Sequence, residues 1–155
     1  MDELDKKILA ELQDDASRSV ADIAERVGMS ATPCWRRIKK LEKEGVIEKR
    51  VALLNRAKVG AGVTVFVTIR AARHTDDWLN NFAKAVDAIP EVIEFHRLSG
   101  DLDYLLKVVV PDITGYDRVY KQLISAVDLS DVSASFVMEE IKSTTAVPLD
   151  YADSE

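Results

Sequence analysis

Val20, Ile23, Ala24 and Val27 recur at i, i+3, i+4 and i+7 and run straight into Gly28. That spacing puts four apolar side chains on one stripe of a short helix over 20–27. The glycine behind it supplies the left-handed backbone on which helices close. Met29 and Ser30 complete a tight turn, and the signals of another helix follow at once. Ser30 or Thr32 is its N-cap, and Pro33 suits a first turn because its missing amide hydrogen has no partner there anyway. Upstream, Leu4, Ile8, Leu9 and Leu12 recur at helical spacing behind Asp2, which predicts a first helix over about 2–14. Asp14 to Ser19 is a polar break, and Ser19 with Asp22 forms a weak capping box for the second helix. Three short helices with a glycine turn before the third describe a helix-turn-helix.

The third helix has two faces. Counted at about 100° per residue, Cys34, Ile38 and Leu41 cluster on one side, while Arg36, Lys39, Lys40 and Lys43 project from the other. With Arg37, five bases fall within ten residues that hold one acid, Glu42. The net charge of −6 argues against nucleic acid when averaged over the chain. Residues 1–50 carry eleven basic and eleven acidic groups, however, so the whole excess of acid lies beyond them. A third helix of this kind lies in the DNA major groove. Arg36, Arg37 and Lys40, with Lys39 and Lys43 beside them, then face phosphates or guanine edges, and Ser30 and Thr32 meet the backbone. The alternative is a solvated charged helix face. Trp35 lies beside the basic face, where a partly buried packing role is expected.

Gly45 closes the third helix, and Val46 to Leu54 reads as a short β pair with Glu48, Lys49 and Arg50 at its turn, a small wing. Two glycines and mixed polar residues from Asn55 to Gly62 suit a hinge. The division expected is a DNA-binding domain over 1–50, a strand or hinge linker over 51–61, a second domain over 62–147 and a tail over 148–155.

Val63 to Ile69 alternates as a strand, and Thr75 caps a helix with Trp78, Leu79, Phe82 and Val86 inside it. Val92 to Leu98 and Tyr104 to Val110 form a hairpin around Ser99-Gly100-Asp101. Tyr116, Val119, Tyr120, Leu123, Ile124 and Val127 mark another helix, and Val132 to Ile141 a last strand. The order βαββαβ is the ferredoxin-like arrangement, a four-stranded antiparallel sheet with both helices on one face. The fold class is therefore α+β. Apolar residues fall on both faces of these strands, so a partner is expected on the second face, and a second copy of the chain is the simplest one.

No apolar run is long enough to span a bilayer in a chain that is 31% charged, and the acidic start Met1-Asp2-Glu3-Leu4-Asp5 is unlike a secretory signal, so a cytoplasmic protein is expected. One cysteine, Cys34, and two histidines, His74 and His96, give no metal-ligand spacing. Cys34 reads as a small core residue, His96 as a hydrogen-bonded strand histidine and His74 as a loop residue. No paired nucleophile and base and no phosphate loop favour an enzyme on the ferredoxin-like fold. A sensor that uses its helix-turn-helix for protein contacts is a further alternative.

Leu4-Asp5-Lys6-Lys7-Ile8-Leu9, Ile23-Ala24-Glu25-Arg26-Val27-Gly28 and above all Thr32-Pro33-Cys34-Trp35-Arg36-Arg37-Ile38-Lys39-Lys40-Leu41-Glu42 resemble the Lrp/AsnC, or feast/famine, family of transcriptional regulators. The resemblance continues through Gly100-Asp101-Leu102-Asp103-Tyr104 and Lys142-Ser143-Thr144-Thr145-Ala146-Val147-Pro148-Leu149, so it covers nearly the whole chain. It implies a winged helix-turn-helix joined to a RAM-type domain, a sheet-to-sheet homodimer able to form tetramers or octamers, and double-stranded DNA as partner. It implies no cofactor but a small amino-acid effector between C-terminal domains, near Gly100, Asp101, Asp103 and Tyr104 and the strand end at Thr144 and Thr145. Such a zwitterion needs a carboxylate such as Asp101 or Asp103 for its ammonium, and hydroxyls or backbone amides for its carboxylate. Gly100 lets the backbone approach closely. The alternative for this turn is an ordinary hairpin with a solvated aspartate. Where the family often has an aromatic residue between the two aspartates, this chain has Leu102. Ser130 to Glu139 and the Trp78 helix resemble the subgroup related to cysteine-responsive regulators, which makes cysteine or another small amino acid the expected effector.

Overall fold

The computed structural model describes residues 1–152, which divide into two compact units. Met1–Ala52 and the chain from Lys142 onward form one, and Leu53–Ile141 the other.

The first unit is a three-helix domain. Asp2 caps α1 (Glu3–Asp14) through a reciprocal box, with Asp5 N donating to Asp2 Oδ1 at 2.9 Å and Asp2 N to Asp5 Oδ2 at 3.3 Å. The Ser19 hydroxyl accepts from Asp22 N and starts α2 (Val20–Val27), which ends at Gly28 with φ +74°. A side chain at that φ is disfavoured, so the turn sequence selects glycine there. After it, α3 (Ala31–Lys43) begins. Ile8, Ile23 and Cys34 have no exposed surface, and Ala24, Val27 and Ile38 complete their core. Each large aliphatic group among them contributes about 1.5–3 kcal/mol by leaving water. The chain beyond Lys142 is fastened to α1 where the Gln13 amide bonds the backbone of Val147.

The β pair expected over 46–54 does not form, for no strand lies there. Val46 N and Ile47 N both donate to Leu41 O, finishing the turn behind α3, and Val51, Leu53 and Leu54 are exposed with no facing segment to share a ladder. Over the stretch expected as a hinge the chain makes a hydrogen-bonded turn. Lys58 N and Val59 N donate to Asn55 O, and Arg56 bonds Thr64 Oγ1 at 3.0 Å and Glu140 Oε2 at 2.7 Å, so this stretch belongs with the second unit.

That unit runs β1 (Val63–Ala71), α4 (Asp76–Asp87), β2 (Val92–Arg97), β3 (Tyr104–Val110), α5 (Ile113–Ala126) and β4 (Leu129–Phe136). The sheet order is β2-β3-β1-β4 with every neighbour antiparallel, the α+β arrangement expected. Alternation sends Val65, Val67 and Ile69 of β1 and Leu106, Val108 and Val110 of β3 to the core that contains Phe82, Val119 and Leu123. Trp78 packs 5.0 Å from Phe82 and 5.7 Å from Tyr104 between ring centroids, and its Nε1 donates to Asp128 O at 2.9 Å.

Two features of this unit depart from expectation. The last strand spans 129–136 rather than 132–141, because its pairing with β1 starts at Ala71↔Leu129 and runs out at Val65↔Phe136. Val137 N makes one further bond, to Thr64 O, after which Met138 and Ile141 are almost fully exposed. The second sheet face is also less apolar than expected. Phe66, Leu105 and Val109 are on it, but Thr68, Lys107, Glu94, His96, Ser133 and Ser135 surround them. The register places Val132, Ala134 and Phe136 opposite Ile69, Val67 and Val65, on the helix side.

Candidate nucleic-acid interface and effector turn

Burial of Cys34, Ile38 and Leu41 fixes the rotation of α3 and turns its basic side outward. Burial also pushes the Cys34 thiol pKa up, which keeps it an uncharged packing group. Ser30, the N-cap, makes no side-chain capping bond, and it and Thr32 are exposed at the start of the helix. Arg36 and Lys43 are exposed, and among the described residues no acid lies within ion-pair range of either. Lys39 Nζ lies 2.6 Å from Glu42 Oε2, and Arg50 Nη2 lies 3.1 Å from the other oxygen. The Lys39 ammonium beside it holds the Glu42 carboxyl below the usual carboxylate range. Lys40 sits 3.8 Å from Glu44. Exposed pairs of this kind contribute about 0–1 kcal/mol, so either lysine can exchange its acid for a phosphate at little cost.

Arg37 corrects the sequence reading. Its Nη1 lies 2.7 Å from both Asp2 Oδ2 and Asp5 Oδ1, and the side chain is turned toward α1 instead of outward. The reason is rotational: Arg37 follows Arg36 by one step and falls between the outer face and the buried stripe. The two carboxylates raise its own pKa further, so it is a fixed cation that joins α3 to the capping box. Trp35 keeps more of its surface in solvent than Arg37 does. Expected to be partly buried, it is 50% exposed on the flank of α3, so half of its surface is free. Its position about 100° from Cys34 carried that signal.

The β2–β3 turn divides the other set of candidates. Gly100 has φ +127°, a region that side chains rarely adopt, and Asp101 is exposed beside it. Asp103 is already engaged: its Oδ2 accepts from Ala71 N at 2.8 Å, its Oδ1 lies 3.7 Å from His74 Nδ1, and its own N–H donates to Ile69 O. It secures the end of β1 where the register shifts between Arg70 and Ala71. Tyr104 is a second correction. At 5% exposure it is a core residue, stacked on Trp78 and packed against Phe82 and Phe95, because the alternation of β3 points it inward. Thr144 and Thr145 are exposed in the segment that packs with the first unit, so Gly100 and Asp101 share no compact unit with them. The Thr144 hydroxyl accepts from Ala146 N at 3.1 Å.

His96 is bonded to Glu94, which Lys107 at 2.9 Å and then His96 hold below the usual carboxylate range. Among the described residues no three metal-ligating side chains cluster, and no helix is long and apolar enough to cross a membrane.

Comparison with known proteins matches residues 1–48 to a winged helix-turn-helix DNA-binding model and residues 64–147 to the Lrp/AsnC ligand binding domain. The glutamate uptake regulatory protein of Zymomonas mobilis is 56% identical over 149 residues, which are 96% of this chain and 91% of that protein. An AsnC family transcriptional regulator from Agrobacterium tumefaciens superposes with a TM-score of 0.94 at 57% identity, covering 98% of this chain and 99% of that one. A transcriptional regulator from Neisseria meningitidis, solved as its L-Met complex, superposes with a TM-score of 0.92 at 36% identity, covering 97% of each chain.

Proposed function

The chain belongs to the Lrp/AsnC family of transcriptional regulators, and from that premise we propose that α3 enters the DNA major groove and that an amino acid bound near the β2–β3 turn tunes the affinity or the assembly. The observation that carries the DNA reading is the division of α3. One stripe is sealed in the core, while among the described residues Arg36 and Lys43 have no acid within ion-pair range and Lys39 and Lys40 hold only Glu42 and Glu44 at the surface. Ser30 and Thr32 sit at the backbone-contacting end. Arg37 serves DNA indirectly, by orienting the helix.

The bound L-Met of the Neisseria relative supports an amino-acid effector here. We assign its ammonium to Asp101, the aspartate of the turn that no other group engages among the described residues, and its close backbone approach to Gly100. Thr144 and Thr145 complete the set only if they come from outside the unit that holds the turn. Cysteine is the effector to test first. A homodimer is proposed, able to assemble as tetramers or octamers, with Phe66, Leu105 and Val109 at the centre of the paired face. The division read from the sequence is kept as a proposal, DNA binding over 1–50, a strand or hinge linker over 51–61, the dimerisation and effector domain over 62–147 and a tail over 148–155, while the compact unit that holds the effector turn runs from Leu53 to Ile141. The assignment is to a cytoplasmic regulator without enzymatic activity.

Gel shift on the promoter of its own gene, titrated with salt, tests the DNA reading. Loss of affinity on a steep log–log slope is expected, because each neutralised phosphate releases counterions. Absence of binding at low salt would sink it. Thermal shift against the twenty amino acids tests the effector reading, since a ligand that binds only the folded state raises Tm.

A further inference from the structure

We propose that Trp35 is a base-reading residue, whose indole edge packs against thymine methyl groups in the major groove and sets sequence preference where the surrounding cations set only affinity. The inference rests on α3 being the DNA-reading helix and deepens that reading.

The chain has two tryptophans, and the structure treats them differently. Trp78 is buried, with its Nε1 bonded to Asp128 O and its ring against Phe82 and Tyr104. Trp35 is 50% exposed, and among the described residues its ring stacks on no other aromatic. A large apolar ring held in water is unfavourable, and its place on the molecule suggests what removes it from water. It lies in the first half of α3, between Thr32 one turn before and Lys39 one turn after, and directly before Arg36, which no acid pairs among the described residues. In a helix-turn-helix the N-terminal residues of the third helix are the ones that reach base edges. Arg36, Lys43 and the exchangeable Lys39 and Lys40 make the neighbouring surface complementary to a polyanion, which a protein partner docking through an apolar patch would not require. A duplex offers that charge together with one apolar feature in its major groove, the C5 methyl of thymine.

The test uses the full-length protein. Duplexes are selected from a random pool with the wild type, and affinity is then measured for the selected duplex and for the unselected pool. Trp35→Ala is expected to bind the pool within about twofold of wild type with the same salt slope. On the selected duplex it is expected to lose about tenfold, within the range one mismatched base pair costs. Trp35→Phe, which keeps an apolar ring, is expected to recover part of the loss. Replacing single thymines by deoxyuridine removes only the methyl group. At one or more positions it should weaken the wild type and leave Trp35→Ala unaffected. Equal losses on pool and selected duplex, or a deoxyuridine effect that persists in Trp35→Ala, would overturn the assignment while leaving DNA binding intact. A wild type that enriches no duplex would overturn the DNA reading and this one together.

Discussion

The side-chain amide of Gln13 donates to Val147 O at 3.1 Å and accepts from Val147 N at 2.7 Å, so one residue of α1 satisfies both backbone groups of a residue 134 positions away. The pair is exposed and short of apolar support, with Val147 itself 64% exposed. Gln13→Ala is therefore expected to cost about 0.5–1 kcal/mol, yet to free the C-terminal segment. Hydrogen exchange at the Val147 amide should accelerate, and trypsin should cut faster after Lys142. Unchanged protection of that amide would show that other contacts hold the segment.

Arg37 makes a different prediction from its basic neighbours. Arg37→Ala removes the cation between Asp2 and Asp5 and leaves Asp5, which is 8% exposed, short of its partner. A loss of about 1–2 kcal/mol is expected, read as a lower Tm. DNA affinity measured well below that Tm should fall much less than the loss from Arg36→Ala with Lys43→Ala.

The same cluster sets an acid limit. Asp2 lies below its ordinary value of 3.8, chiefly because Asp5 N donates to it and then because Arg37 does. A depressed folded-state pKa gives stability that is present above the unfolded value and lost as pH falls through the folded one. The first unit should lose part of its stability below pH 3.8. Asp2→Asn, which cannot titrate, should flatten this part of an acid-unfolding curve followed by circular dichroism.

Arg36→Ala with Lys43→Ala removes two exposed charges that pair with no acid among the described residues. Stability should change by less than about 0.5 kcal/mol, while the slope of log affinity against log salt becomes shallower by about two. An unaltered slope would place both residues away from phosphate.

Asp101 and Asp103 separate by role. Asp103→Ala leaves Ala71 N–H without its acceptor and should cost about 1–3 kcal/mol. Asp101→Ala should leave Tm of the free protein unchanged and abolish the rise produced by the effector amino acid. If both variants respond to the amino acid as wild type does, the effector is held elsewhere.

Local signals carried most of the fold. The apolar periods, Gly28, the caps at Asp2, Ser19 and Thr75 and the alternation of β1 and β3 each act within a few residues, so they are visible in one dimension. What failed depends on partners distant in sequence. Val46 to Leu54 has the composition of strands, but a ladder exists only where a second segment answers it. Arg37 counts as part of a basic cluster until Asp2 and Asp5 are brought to it across 35 and 32 residues. Tyr104 belongs to a ligand-turn motif in sequence, yet its place in the strand alternation decides that it is core. Asp101 and Asp103 look equivalent until Ala71 N takes one of them.

The helix that carries the basic face is also the one helix of the described residues whose N-cap side chain accepts no bond from its first turn; Asp2, Ser19, Thr75 and Asp112 all do so for theirs. In the other four the bonded amide belongs to the third residue after the cap; in α3 that residue is Pro33, which has no amide hydrogen to give Ser30. Among the described residues the Ser30 hydroxyl is left uncommitted at the exposed start of the helix, and on the proposed reading it is free to donate to a DNA phosphate, so the proline that opens the helix also releases a group for the duplex.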